Sequence, residues 1–299
     1  MFSKGVFRMK ILNYGSMNID NVYQMDHMIQ PGETQMASAK NVFAGGKGLN
    51  QSIAIAKAGG AVYHAGVVGE DGAILMDTLT RGGVDTRYIK HMSGPSGHTV
   101  IQVDKNGQNS IIVFAGENMR VLEEDIENVL SGFEKGDLLI LQNELDNSPT
   151  IMRMASERGM TIVFNPSPVN EGLKNYPLEC VDWFLLNEIE GKALTQETDP
   201  EKILAALKVQ YPKANVVLTL GGDGAFCVRG DEKVFQPIFP VKAVDTTAAG
   251  DTFTGYFVTG ISKGDDLATV MKRAAKASSI AVSRPGAADS IPYSHEVEI

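Results

Sequence analysis

Near residue 245 the chain reads Val244-Asp245-Thr246-Thr247-Ala248-Ala249-Gly250-Asp251-Thr252-Phe253, and apolar residues then return at helical steps. Small residues stand where a helix begins. Ala248, Ala249 and Gly250 therefore leave backbone N–H groups open to an anion, which the positive helix terminus also favours. Asp251 would stand beside that anion hole, placed to take a proton from an attacking hydroxyl during phosphoryl transfer. The competing reading is that Asp251 only caps the helix.

Four other stretches carry polar groups at places where chemistry is done. Ala44-Gly45-Gly46-Lys47-Gly48-Leu49-Asn50 is a glycine turn into a helix. It lacks the spacing and the Ser or Thr of a Walker loop, so its glycines, one Lys and one Asn suit a polyol better than a triphosphate. The alternative is a tight strand-to-helix connection with a solvated Lys. Gly15-Ser16-Met17-Asn18-Ile19-Asp20 follows the first strand without the G-x-G-x-x-G of a dinucleotide site. Asn18 and Asp20 instead share one side of an extended segment and suit sugar hydroxyls, unless they serve as turn formers. Asn187-Glu188-Ile189-Glu190 offers oxygens for hydrated Mg²⁺ and phosphates, or an ordinary helix cap with Glu at its third position. Thr219-Leu220-Gly221-Gly222-Asp223-Gly224 ends a strand in a glycine turn and points only weakly to a nucleotide.

These residues need a scaffold. Apolar runs of strand character at 11–14, 61–68, 138–141, 161–164, 183–186 and 216–220 alternate with helical patterns at 48–58, 73–81, 148–158, 199–211 and 252–263. That alternation implies βαβ units and a mostly parallel sheet, an α/β fold. Short β-type runs at 99–103 and 110–114, joined through Asn106-Gly107, read as a hairpin, and 21–43 has room for two more strands. Together they suggest a small β lid that excludes water.

Composition narrows the function classes. The 299 residues are 43% hydrophobic and 21% charged, without the long apolar stretch of a membrane span. The net charge of −9 and the absence of a basic tract argue against nucleic acid. Cys180 and Cys227 are the only cysteines, too few for a disulfide framework and without metal spacing, which fits a reducing cytoplasm. Residues 1–9 hold no secretory signal, and Met9 reads as an alternative start.

In order and spacing the five motifs resemble the ribokinase branch of the ribokinase/PfkB carbohydrate kinase family, from Ile11 to about Pro292. The G-G-K-G-x-N-Q form at Gly45 to Gln51 and V-D-T-T-A-A-G-D-T-F at Val244 to Phe253 carry the likeness, with Gly69 to Gly72, Gly83-Val84-Asp85-Thr86 and Asn165-Pro166-Ser167-Pro168 in support. The resemblance implies a three-layer α/β/α ribokinase-like fold, with a core of residues 1–19, 45–97 and 117–299 and a β lid of 20–44 and 98–116. It implies that Asp251 is the base and Ala248, Ala249 and Gly250 the anion hole, with Asn18, Asp20, Gly46, Lys47, Asn50 and Glu144 on the sugar. Asn187, Thr219, Gly221, Gly222, Gly224 and Gly250 would meet ATP, and Glu190 the water shell of Mg²⁺. A monovalent cation, usually K⁺, would rest on Asp245, Thr247, Ala281, Arg284, Gly286 and Ser290.

The expected reaction is transfer of the ATP γ-phosphate to a sugar primary hydroxyl, D-ribose at its 5-position leading. Three departures from the family pattern bear on that expectation. Gly97-His98-Thr99 brings an imidazole where the sugar pocket is expected, unless His98 points to solvent or to a partner lid; Ala275-Lys276 stands where ribokinases commonly place Asn against adenine, and Asp223 adds a charge near the nucleotide. Another sugar or a nucleoside as acceptor, or a sugar sensor without catalysis, are the alternatives; a dinucleotide oxidoreductase is the fold-level one. Exposed lid edges with Val100 and Val113 favour a homodimer through the lid.

Overall fold

The structure is a computed structural model and describes residues 9–299; the expectations that fall on residues 1–8 lie outside the described residues. The chain begins with β1 (Ile11–Tyr14), β2 (Asn18–Gln24), β3 (Ala39–Gly45), α1 (Lys47–Lys57), β4 (Val62–Val68), α2 (Ala73–Arg81) and β5 (Asp85–His91). It continues through β6 (Gly97–Val103), β7 (Asn109–Phe114), α3 (Glu123–Leu130), β8 (Leu138–Gln142), α4 (Ser148–Glu157) and β9 (Thr161–Asn165). Then come β10 (Trp183–Asn187), α5 (Glu188–Thr195), α6 (Pro200–Gln210), β11 (Asn215–Thr219), β12 (Ala225–Arg229), β13 (Glu232–Gln236), α7 (Ala249–Lys263) and α8 (Leu267–Val282).

Nine strands form one sheet in the order β13-β12-β11-β10-β9-β8-β1-β4-β5. Pairing is parallel from β5 to β11 and antiparallel only at β12 and β13. The central strands β1, β4 and β8 to β11 read as largely apolar runs because both faces are covered. Ile11, Leu138 and Ile140 face a core with α1, α2, α7 and α8; Leu12, Leu139 and Leu141 face a second core with α3, α4 and α6. This is the α/β fold that the alternation called for, in the three-layer α/β/α form that the resemblance implied. The chain leaves β1 toward β4 and β5 on one side and later fills the other from β8 outward. The crevice beyond the carboxyl ends of β1 and β8 is thus a switch point, where such sheets bind ligands.

A second sheet, β3-β2-β6-β7, stands apart. The Asn-Gly turn is present as a loop in which Gly107 has φ +78° and the Asp104 carboxylate accepts the N–H groups of Asn106 and Gln108. Register decides between the two readings of His98. Asp20 pairs with Thr99, and His98 pairs with Ile19, so the imidazole lies on the opposite face of the sheet from Asp20. His98 meets the Ser96 carbonyl and lies tilted beside Phe114, with the ring centroids 5.0 Å apart. It does not narrow the side that carries Asp20.

Candidate active site

The site is built where α1 and α7 meet. Gly255 faces Ala54 so closely that a Cβ on the glycine would come within 2.3 Å of the alanine methyl. Only small residues allow that approach, and one turn earlier on each helix it brings Asn50 and Gln51 against Asp251. Asn50 Nδ2 donates to Asp251 Oδ2 at 3.2 Å and Gln51 Nε2 to Oδ1 at 3.0 Å. Asp251 is 8% exposed.

The helix begins three residues before the expected position 252. Ala248 is the N-cap, in the left-handed region at φ 59°, and Ala249, Gly250 and Asp251 form the first turn. Asp251 makes no capping bond, so the reading of it as a cap is overturned. A left-handed alanine is strained, and such strain gathers at functional turns. The Ala249 N–H donates to the Thr246 carbonyl at 3.2 Å, which leaves the Gly250 N–H for the space at the helix start. No atom lies within 4 Å of where a Cβ on Gly250 would project. That space is continuous with a cavity of about 460 Å³ lined by Thr219, Gly221, Gly222, Gly224, Phe239 and Ala275, among others. Apolar Ile238, Phe239 and Val241 form one wall, and Ser278 and Ser279 add hydroxyls. Ala275 thus faces the cavity with a methyl, while Lys276 turns to the Phe239 ring, 5.1 Å away. Asp223 is exposed and is not part of the lining.

A smaller recess of about 80 Å³ joins Lys47, Asn165, Asn187, Glu190, Gly250 and Asp251. Burial works against the Lys47 ammonium, but the charges of Asp251, Glu144 and Glu190 outweigh it and hold its pKa above the ordinary lysine value. Asn187 and Glu190 form a complete capping box: Asn187 Oδ1 accepts the Glu190 N–H at 3.0 Å and Glu190 Oε2 the Asn187 N–H at 2.9 Å. The cap reading holds, and the same bonds fix the carboxylate that faces the recess.

Beyond Asp251, on the side of the second sheet, stand the residues expected on the sugar. Gly46 has φ +96°, and a Cβ there would meet the Ser16 carbonyl oxygen and the Asn18 nitrogen at 3.0 Å, so glycine is required. Glu144 accepts the Ser16 hydroxyl and, at 3.2 Å, the Lys47 N–H; burial still pushes its carboxyl up. Burial raises Asp20 too, against a 2.7 Å bond from the Thr99 hydroxyl. Asn18 Oδ1 accepts Asn118 Nδ2 at 2.9 Å. Asn50 Oδ1 is buried and has no partner among the described residues, which leaves an acceptor for a substrate hydroxyl.

Asp245 ties two loops together. Its Oδ1 accepts the Thr247 N–H at 2.9 Å and its Oδ2 the Gly286 N–H at 3.1 Å, while the Val282 carbonyl accepts the N–H groups of Val244 and Asp245. The end of α8 with Ala281, and the following turn with Arg284 and Gly286, are thereby held beside the Asp245–Thr247 turn. Arg284 itself pairs with Glu296 at 2.7 Å, and Ser290 donates to the Ala287 carbonyl at 2.8 Å. Sequence reasoning passed over Gln51, Gln142, Ser16 and Asn118. Gln51 directly follows Asn50 in the glycine motif, and that adjacency was the available signal.

A family model described as pfkB family carbohydrate kinase matches residues 8–293. The chain is 33% identical to the ribokinase of Staphylococcus aureus over 96% of its own length and 98% of that protein's. It is 32% identical to the deoxyribokinase of Salmonella typhi, covering 95% and 96%. The solved structure of the Arabidopsis thaliana ribokinase complexed with ribose and ATP is 29% identical, with a TM-score of 0.88 and coverage of 97% and 98%.

Proposed function

Since this chain belongs to the pfkB family of carbohydrate kinases, we propose that it transfers the γ-phosphate of ATP to the 5-hydroxyl of D-ribose. It is an ATP-dependent sugar kinase. The observation that carries the reading is the place of Asp251. This buried acid is held by two amides, with polar groups for a sugar on one side and an open helix turn leading to the large cavity on the other.

In this reading Asp20, Asn18 and Glu144 orient the sugar, and Asn50 Oδ1 and the Lys47 ammonium meet its hydroxyls. Asp251 takes the proton as the hydroxyl oxygen attacks the γ-phosphorus in line, and the bond to the β-γ bridging oxygen breaks to release ADP. The N–H groups of the Ala248–Gly250 turn and the positive end of α7 stabilise the charge on the transferring group. Thr219, Gly221, Gly222 and Gly224 line the nucleotide cavity, with Asn187 toward the phosphates.

Mg²⁺ neutralises phosphate charge when bound. Among the described residues no group of three or more His, Cys, Asp or Glu gathers for a metal; one carboxylate, Glu190, suits an ion carried by phosphates and water. Asp245, Thr247 and Ser290, with the backbone carbonyls of Ala281, Arg284 and Gly286, offer oxygens that suit K⁺, an ion that would steady the Asp245–Gly250 turn. Strand β7 leaves Ile111, Ile112, Val113 and Phe114 exposed at a sheet edge, which supports a homodimer through the second sheet. Two free cysteines support a reducing cytoplasm. Among the described residues no helix is long and apolar enough to cross a membrane.

The test is ADP release from the wild type and from Asp251→Asn against D-ribose, 2-deoxy-D-ribose, hexoses and nucleosides, with and without K⁺. The expected result is strongest turnover on D-ribose and loss of about a thousandfold or more in Asp251→Asn with the fold intact. Turnover by Asp251→Asn at the wild-type rate would overturn the mechanism, and preference for another acceptor would overturn ribose.

A further inference from the structure

Behind Asp251 lies a chain of buried amides whose direction can be worked out atom by atom. His64 of β4 is fully buried, and its Nε2 stands 3.2 Å from the Gly15 carbonyl, which can only accept. Nε2 therefore carries the ring proton. Nδ1, 2.8 Å from Ser52 Oγ, must accept, so the Ser52 hydroxyl donates to it. Asn13 Nδ2 then donates to Ser52 Oγ at 2.9 Å and to the Gly48 carbonyl at 2.8 Å, which sets its orientation twice. Asn13 Oδ1 is left as an acceptor. Gln142 Nε2 donates to it at 3.0 Å and to Gln51 Oε1 at 2.7 Å. Gln51 consequently has only its Nε2 to offer Asp251 Oδ1, 3.0 Å away. Asn13, Gln51, Ser52, His64 and Gln142 are all buried, so water cannot repair a reversed amide. Reversal would set oxygen against oxygen, and an unsatisfied buried pair is costly.

We propose that Gln51 and Gln142 are positioning residues for the base: carbonyls of Gly15 and Gly48 dictate the sense of every amide between them and Asp251, and so hold the carboxylate in one orientation toward the sugar hydroxyl. This rests on the reading of Asp251 as the base. Neither glutamine needs to touch the sugar or ATP. Gln142 acts through Gln51, because the two N–H bonds it makes fix Asn13 on one side and Gln51 on the other.

A positioning role separates kcat from KM. Gln51→Met keeps the length of the side chain and removes both its donor and its acceptor. Its kcat should fall by about 10- to 100-fold, the scale of a base displaced by about an ångström. KM for D-ribose and for ATP should stay within about twofold, since both substrates keep their contacts. Gln142→Met should lower kcat as well, with the combined variant no worse than Gln51→Met alone because both losses run through one amide. A rise in KM with kcat retained, or independent losses that multiply, would overturn the proposal. If Gln51→Met does not fold by thermal denaturation, Gln142→Met decides alone, and an unchanged kcat there refutes it. Asp251→Asn is measured alongside. If that variant turns over, the base reading falls and this proposal with it; if it is inactive while Gln51→Met matches the wild type, only this proposal falls.

Discussion

Gly250→Ala should make the protein more stable and nearly inactive. Gly250 is the second residue of α7, and nothing lies within 4 Å of the position an added Cβ would take. Inside a helix alanine is favoured over glycine by up to about 1 kcal/mol, and with no atom to strike, that gain is not offset by strain. For a chain of this size it corresponds to a rise in Tm of about 2 °C. The same methyl projects into the open space at the helix end, where the transferring phosphoryl group must come against backbone N–H groups. Displacing it from one donor costs about 100-fold or more in kcat/KM, as removal of an oxyanion-hole donor does. Thermal denaturation and an ADP-coupled kinase assay read the two effects from one preparation. Full activity with a higher Tm would refute the placement of the phosphoryl group at this turn. A lower Tm would refute the inference that the space is open.

His98→Ala should leave KM for D-ribose within about twofold, because the ring faces away from Asp20; a tenfold rise would place the imidazole at the sugar. Burial lowers the His64 pKa from 6.5 to about 4, so the native state refuses a proton that the unfolded chain accepts. The contribution is fully present above pH 6.5 and is lost as pH falls toward 4, about 3 kcal/mol in all. Urea denaturation at pH 7 and pH 4 should therefore show a smaller drop for His64→Gln than for the wild type, and equal drops would contradict a neutral His64.

Much of the scaffold was legible because parallel strands buried on both faces must be apolar runs, and helices packed on them must repeat at helical steps. The runs at 138–141 and 161–164 fall within β8 and β9. Strands β5, β12 and β13 and helices α3 and α8 were not read, and of α5 only the start was. β13 is mostly exposed, with Glu232 and Lys233, and half of α5 is exposed, so neither shows a clean apolar pattern. The helix start was misplaced for a related reason. Ala249 and Gly250 carry no periodic signal, and Ala248 is turned into the left-handed region by its surroundings, not by its own preference.

The sequence by itself determined the chemistry available near Asp251: an acid after small residues, a glycine turn with Lys47 and Asn50, and an acidic cap at Asn187 and Glu190. Those are local features, written in the order of neighbouring residues. Tertiary structure decided what the acid does. It denied Asp251 a capping bond, brought Asn50 and Gln51 to it across some 200 positions of chain, and turned His98 to the far side of its sheet. Hydrogen bonds of that separation depend on how closely two helices pack, here through Ala54 and Gly255, and on which strand pairs with which. No reading along the chain contains either.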